Sequence, residues 1–162
     1  MSAQKTPTVE DVIRNSEQSE NLQNNLIEFC RFLKDNEFSI EPEGHTEDNK
    51  SGWKIVYTNE CIGHMNFTKL GIWLDTCDFG NSDSADDALK ETAWAHIRLC
   101  EYFTSDGKKC GCHDQPGLSK VIFGKKHENL CFALLEFKNP DAKTIENIKK
   151  LLLLFKQNNR GM

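Results

Sequence analysis

Trp53-Lys-Ile-Val-Tyr-Thr-Asn-Glu-Cys-Ile-Gly-His-Met-Asn-Phe-Thr-Lys-Leu-Gly-Ile-Trp-Leu74 is the stretch that decides the architecture. Its hydrophobic period is two. Trp53, Ile55 and Tyr57 alternate with Lys54, Val56 and Thr58. Cys61, Gly63, Met65 and Phe67 alternate with Ile62, His64 and Asn66, and Leu70, Ile72 and Leu74 share a third such face. Alternation at this spacing predicts strands, because successive side chains leave a pleated backbone on opposite sides. Asn59-Glu60 and Thr68-Lys69 are short enough to be turns. The expectation is therefore an antiparallel meander of three strands with one apolar face that needs a cover.

Before it the period is that of a helix. Leu22, Leu26, Phe29, Cys30 and Leu33 recur at three- and four-residue spacing and predict a helix from Asn21 to about Asp35. Residues 1–20 carry few apolar groups and read as a flexible N-terminal segment, in which Thr8-Val-Glu-Asp11 can cap one helical turn over Val9, Val12 and Ile13. Phe38 to Ser51, with Pro42, Gly44 and several acidic residues, reads as a loop, and His45 in it as a solvated loop residue.

After the meander, Ser84-Ala-Asp-Asp87 has the capping signature of a helix expected to reach about Tyr102, with Leu89, Ala93, His96, Ile97, Cys100 and Phe103 on one stripe. Lys120-Val-Ile-Phe123 and Leu130-Cys-Phe-Ala-Leu-Leu-Glu-Phe137 read as strands joined by a hairpin over 124–129. Asn139-Pro140 reads as the start of a last helix, with Asn139 as cap and an apolar face of Ile145, Ile148, Leu151, Leu152 and Phe155. Strand hairpins separated by helices define an α+β fold with a largely antiparallel sheet of about five strands and helices packed on one face. The length fits a single domain over 21–157 between the flexible segment and a tail at 158–162.

Composition narrows the function classes. A net charge of -5 disfavours a basic nucleic-acid-binding face. The longest apolar run, Leu151 to Phe155, is far short of a membrane span, and the first residues lack the apolar centre of a signal peptide. The expected location is cytoplasmic, where the seven cysteines would remain thiols. Buried thiols, a metal site or a reactive thiol are the alternatives that remain.

Chemistry points to the stretch from Cys100 to Cys131. If 96–100 is helical, His96 and Cys100 lie four apart on one face, and Cys110, Cys112 and His113 follow in one loop. Zinc takes four such sulfur or nitrogen donors in a tetrahedron. Cys100, Cys110, Cys112 and His113 are therefore the candidate ligands. The bland alternative makes Cys100 and Cys131 packed thiols and His96 a satisfied histidine. The same loop supports a second class of function, a thiol-based redox enzyme or sensor, because Lys108-Lys109 and His113 would stabilise a thiolate at Cys110 or Cys112. Lys108, Lys109, Lys120, Lys125 and Lys126 are the candidates for an anion-binding rim, although solvated lysines are the simpler account. No phosphate loop is present, since neither glycine pattern occurs. A third class is a small-molecule sensor whose cleft is lined by Trp53, Tyr57, His64, Trp73 and Trp94, residues that fit an ordinary core equally.

The run Val121-Ile-Phe-Gly-Lys-Lys-His-Glu-Asn-Leu-Cys131, with Phe137-Lys-Asn-Pro-Asp141 and Ile148-Lys-Lys-Leu-Leu152, resembles uncharacterised bacterial proteins assigned to domains of unknown function. The Trp53 to Tyr57 strand and the Pro116-Gly117 end of the cysteine-rich loop extend the resemblance over about residues 50–156. It implies a compact α+β domain and transfers no activity. The expectation from sequence is thus a small binding module for a metal ion or small molecule rather than an enzyme.

Overall fold

The computed structural model describes residues 7–43, 52–75, 79, 85–100 and 117–159, with the backbone alone described at Phe132. The chain is α+β. Among the described residues it forms four helices, α1 (Val9–Arg14), α2 (Glu20–Asp35), α3 (Asp87–Ala95) and α4 (Ala142–Asn159). Its strands are β1 (Ser39–Pro42), β2 (Gly52–Tyr57), β3 (Glu60–Asn66), β4 (Gly71–Leu74), β5 (Ile97–Leu99), β6 (Leu118–Ile122) and β7 (Lys125–Lys138). That is seven strands among the described residues, where the alternation predicted about five. The two additions are β1 and β5. Both are too short to show a period of their own and exist because a partner strand completes their hydrogen bonds. The registers described are antiparallel.

The chain divides into two compact units, Met1–Ile72 with Lys138–Ile145, and Trp73–Phe137 with Glu146–Met162. The first unit begins with α1, which closes a capping box. Thr8 Oγ1 accepts from the Asp11 N–H at 3.2 Å, and Asp11 Oδ2 accepts from the Thr8 N–H at 3.0 Å. Helix α2 buries one stripe, with Leu26, Phe29, Cys30 and Leu33 at 0 % exposure. Its C-terminus is a left-handed cap at Glu37, φ 70°, and the Phe38 N–H returns to the Leu33 carbonyl at 2.9 Å. That bond delivers the chain directly into β1.

Strands β1, β2 and β3 are successive neighbours. Ser39 faces Val56, Ile40 faces Ile55, Glu41 faces Lys54 and Pro42 faces Trp53. Between β2 and β3, Tyr57 faces Glu60, so the turn is Thr58-Asn59 and not the expected Asn59-Glu60. Both turn residues have positive φ, 48° and 68°, which is the backbone twist a two-residue hairpin demands. Phe29, Leu33, Ile55 and Met65 are buried in the core of this unit, and Phe38 packs on Tyr57 with the rings tilted by 42° at a centroid distance of 5.1 Å.

The second unit is built on β7. Helix α3 is capped by Asp86, whose Oδ1 accepts from the Leu89 N–H at 2.8 Å. It stops at Ala95, and His96 is its C-cap, where the apolar stripe predicted a helix to Tyr102. The reason is non-local. Ile97 and Leu99 pair with Leu135 and Leu130 of β7, and the Glu136 N–H donates to the His96 carbonyl at 2.9 Å. A strand partner has overridden a marginal helical end. Strand β6 folds against the first part of β7 through the turn Phe123-Gly124, with φ of 49° and 81°, tighter than the hairpin expected over 124–129. The Trp94 Nε1–H donates to the Ile122 carbonyl at 2.8 Å, and the Trp73 Nε1–H to Glu136 Oε2 at 2.7 Å. Leu134, Leu135 and Phe137 are fully buried. The cap of α4 is Asp141, whose Oδ1 accepts from the Thr144 N–H at 2.8 Å, rather than Asn139. Asn139 instead takes a left-handed φ of 47° and donates its N–H to the Leu70 carbonyl at 2.9 Å.

Candidate functional site

The first unit brings together three chemically active side chains that the alternation of β3 does not place side by side. In a regular strand Cys61 and His64 point to opposite faces. Here the register slips. Ile55 faces Gly63, but the next residue, Val56, faces Cys61, so Ile62 is an extra residue in β3. Such a bulge re-aims the side chains on either side of it. Lys54 faces His64 and Val56 faces Cys61. Lys54 and Val56 are two apart on one strand, so Cys61 and His64 share their face. Ile62 and Gly63 are both buried, as two consecutive residues are when a bulge turns between them.

The result is a line of thiol, imidazole and carboxylate. The Cys61 Sγ lies 3.7 Å from His64 Nε2, and the thiol also reaches the Gly63 carbonyl at 3.5 Å. His64 Nδ1 lies 2.9 Å from Glu43 Oε1, with the two side chains 31 % and 34 % exposed. Glu43 comes just after β1 and is held in place by its N–H bond to the Gly52 carbonyl at 2.9 Å. A carboxylate on Nδ1 fixes the neutral ring with its proton there, which leaves Nε2 as an acceptor facing the thiol. Cys61 is exposed to solvent.

This arrangement has the parts of an activated nucleophile. A base lies within reach of the thiol, and a third group orients the base. It equally has the parts of a metal half-site, two donors that metals of the zinc class favour and an outer carboxylate on the histidine. The buried Cys30 is the opposite case. Burial first, and then the charge of Glu10, push its thiol up to about 12, so it stays protonated and inert near neutrality.

Of the ligands expected from sequence, Cys110, Cys112 and His113 lie outside the described residues, as do His45 and the lysines at 108 and 109. Cys100 directly follows β5, with its N–H on the Asn129 carbonyl at 2.7 Å. It is therefore not on a helix with His96, and the four-residue spacing that paired them carries no geometric meaning here. His96 Nδ1 bonds the Thr92 carbonyl at 2.7 Å, and its ring packs on Phe137 at 4.5 Å. Cys100 and Cys131 are half-buried rather than enclosed.

The aromatic set has separate tasks. Trp53 and Tyr57 belong to the packed face of the first unit, both under 10 % exposed, while Trp73 and Trp94 hold the hydrogen bonds of the second unit given above. His64 is the one member of that set in the thiol line.

Sequence reasoning passed over Cys61 and Glu43. A signal for the first was present, since Cys61-Ile-Gly-His64 has a Cys-x-x-His spacing. Nothing in the order of residues announces Glu43, which arrives through the β1–β2 pairing. No helix of the described residues is long and apolar enough to cross a membrane. No protein-family model, curated protein or solved structure matches the chain.

Proposed function

We propose that this protein is a thiol-based sensor or enzyme whose working group is Cys61. The observation that carries the proposal is the unbroken line from Cys61 Sγ through His64 Nε2, at 3.7 Å, to Glu43 Oε1 on the far ring nitrogen, at 2.9 Å. His64 accepts the thiol proton and Glu43 stabilises the imidazolium that forms. The thiolate displaces a leaving group from carbon, a thiolate from a disulfide as the S–S bond breaks, or the far oxygen of a peroxide as the O–O bond breaks, the departing anion taking the proton from His64. Solvent exposure of Cys61 gives such a reagent direct access. Lys54, directly across from His64, places a cation on the same face and favours anionic reagents.

The test is alkylation by iodoacetamide at pH 7 in the presence of a chelator, resolved by peptide mass spectrometry. Cys61 is expected to be modified fastest among Cys30, Cys61, Cys100 and Cys131. His64→Gln is expected to slow Cys61 by roughly tenfold or more, and Glu43→Gln by less, since a base contributes more than its orienting partner. Equal rates at Cys61 in the parent protein and His64→Gln would overturn the assignment.

A further inference from the structure

We infer that Cys61 and His64 also form a two-donor site for a thiophilic divalent ion of the zinc class, with Glu43 as its outer-shell carboxylate. The assignment rests on the same pair of side chains as the thiol function and names an inorganic partner for it. Three independent features converge on it.

The first is donor type. A thiolate with an imidazole nitrogen is the mixture that zinc-class ions select over calcium or magnesium, which prefer oxygen. The second is separation. Zinc bonds of 2.3 Å to sulfur and 2.0–2.1 Å to nitrogen at a tetrahedral angle set the two donors about 3.6 Å apart. Cys61 Sγ and His64 Nε2 lie at 3.7 Å, so an ion enters with little movement of either side chain. The third is ring orientation. A metal-bound histidine nearly always donates its other N–H to a carboxylate or carbonyl, which fixes the tautomer and raises the basicity of the ligating nitrogen. Glu43 already occupies that position on Nδ1 at 2.9 Å, and leaves Nε2 facing the sulfur.

The bulge at Ile62 is what makes the spacing productive. A Cys-x-x-His pair in a flat strand would point two ways. With one extra residue between the paired positions, both donors leave the same face, as they do where a Cys-x-x-Cys backbone turns around a metal. Cys61 and His64 take two positions of a tetrahedron, and oxygen donors complete it. Binding exchanges the thiol proton for the ion, releases that proton to solvent and forms one S–metal and one N–metal bond. No electron changes hands. An ion held there masks the nucleophile, so metal occupancy and thiol reactivity are alternatives at one site.

Cobalt(II) is the probe, titrated into the full chain under reducing conditions and followed by the near-ultraviolet thiolate-to-cobalt charge-transfer band, with zinc then added in competition. The band is expected in the parent protein, lost in Cys61→Ser and weakened with His64→Gln. Glu43→Gln is expected to lower affinity about 10- to 100-fold. A Cys110→Ser/Cys112→Ser variant is expected to keep the band, and circular dichroism checks that each variant is folded. A band that survives Cys61→Ser, a band that vanishes with Cys110→Ser/Cys112→Ser, or no band at millimolar cobalt would each overturn the site. The alkylation experiment above is read with metal chelated. Slow alkylation with a Cys61-dependent band removes the nucleophile alone, and fast alkylation with no band removes the metal alone.

Discussion

Raising the pH from 8 to 10 tests the contrast between the two best-described thiols of the first unit. Cys30 is fully buried on α2, and its thiol is pushed from 9.0 up to about 12, first by burial and then by the charge of Glu10, with Lys34 opposing. In the unfolded chain it ionises at its ordinary value. A group whose folded pKa is raised contributes stability that is complete below the unfolded pKa and is lost as the pH climbs towards the folded one. The window here is therefore pH 9 to 12. Inside it, each pH unit removes about 1.4 kcal/mol. At pH 8 ionisation costs under about 0.1 kcal/mol and at pH 10 about 1.4 kcal/mol, by the same linkage.

Lysines and tyrosines also titrate in that range, so the reference is Cys30→Ala. Its own cost, a small cavity beside Phe29 and Leu33 on the same buried stripe, does not depend on pH. Urea unfolding of both proteins at pH 8, 9 and 10 reads the difference. The stability advantage of the parent over Cys30→Ala is expected to shrink by about 1.4 kcal/mol between pH 8 and pH 10. A gap that stays constant within about 0.4 kcal/mol would refute the argument and return Cys30 to the pool of reactive thiols.

Other expectations follow from single contacts. Phe29→Ala removes a ring at 0 % exposure and is expected to cost about 3–5 kcal/mol in chemical denaturation. Ser19 Oγ caps α2 by accepting from the Leu22 N–H at 3.2 Å, so Ser19→Ala is expected to cost about 1 kcal/mol, read from the urea midpoint. Trp53 Nε1 is buried with no hydrogen-bond partner among the described residues, whereas the indole N–H of Trp73 donates to Glu136. Trp53→Phe is therefore expected to cost less than Trp73→Phe, because only the second removes a hydrogen bond. His127 has its pKa lowered by burial and by Lys125, so the neutral ring is favoured in the folded state. Its contribution is complete above the ordinary value of 6.5 and is lost as the pH falls through the depressed one. The parent is expected to lose more stability than His127→Gln between pH 7 and pH 5, measured by urea midpoint.

What the sequence conveyed about the fold was what local rules encode. The meander, α2 and α4 were legible because each carries a period, of two or 3.6, long enough to dominate its neighbours. Strand β5 was not, because Ile97-Arg-Leu99 fits the stripe of the preceding helix and becomes a strand through pairing with residues more than 30 positions away. Strand β1 was hidden for a related reason. Its four residues end in Pro42 and run into acidic residues, and pattern alone reads that as a loop. The misplaced cap at Asn139 shows a smaller version of the same limit. Asp141 and Asn139 are both good caps, and the bond from the Asn139 N–H to the Leu70 carbonyl decides between them.

The candidate site was hidden by a defect in regularity rather than by distance along the chain. Cys61 and His64 are three residues apart, yet strict alternation assigns them to opposite faces. One inserted residue reverses that assignment, and no propensity scale registers it, because Ile62 is as good a strand residue as any. The bulge also explains why this pair would be kept together by the fold rather than by the side chains themselves. A contact between a thiol and an imidazole at 3.7 Å is weak, whereas the hairpin around it is fixed by the ladder from Gly52–Asn66 to Tyr57–Glu60 and by the left-handed turn at Thr58 and Asn59. The backbone therefore bears the cost of alignment and holds the thiol and ring where they can exchange a proton or accept an ion. Inserting one residue between Ile55 and Val56 would separate these roles. Ile62 would then have a partner across the ladder, and Cys61 and His64, three apart in a regular strand, would face apart. Loss of both the alkylation rate and the cobalt band, with the hairpin retained by circular dichroism, is the expected result, and persistence of either one would show that the bulge does not make the site.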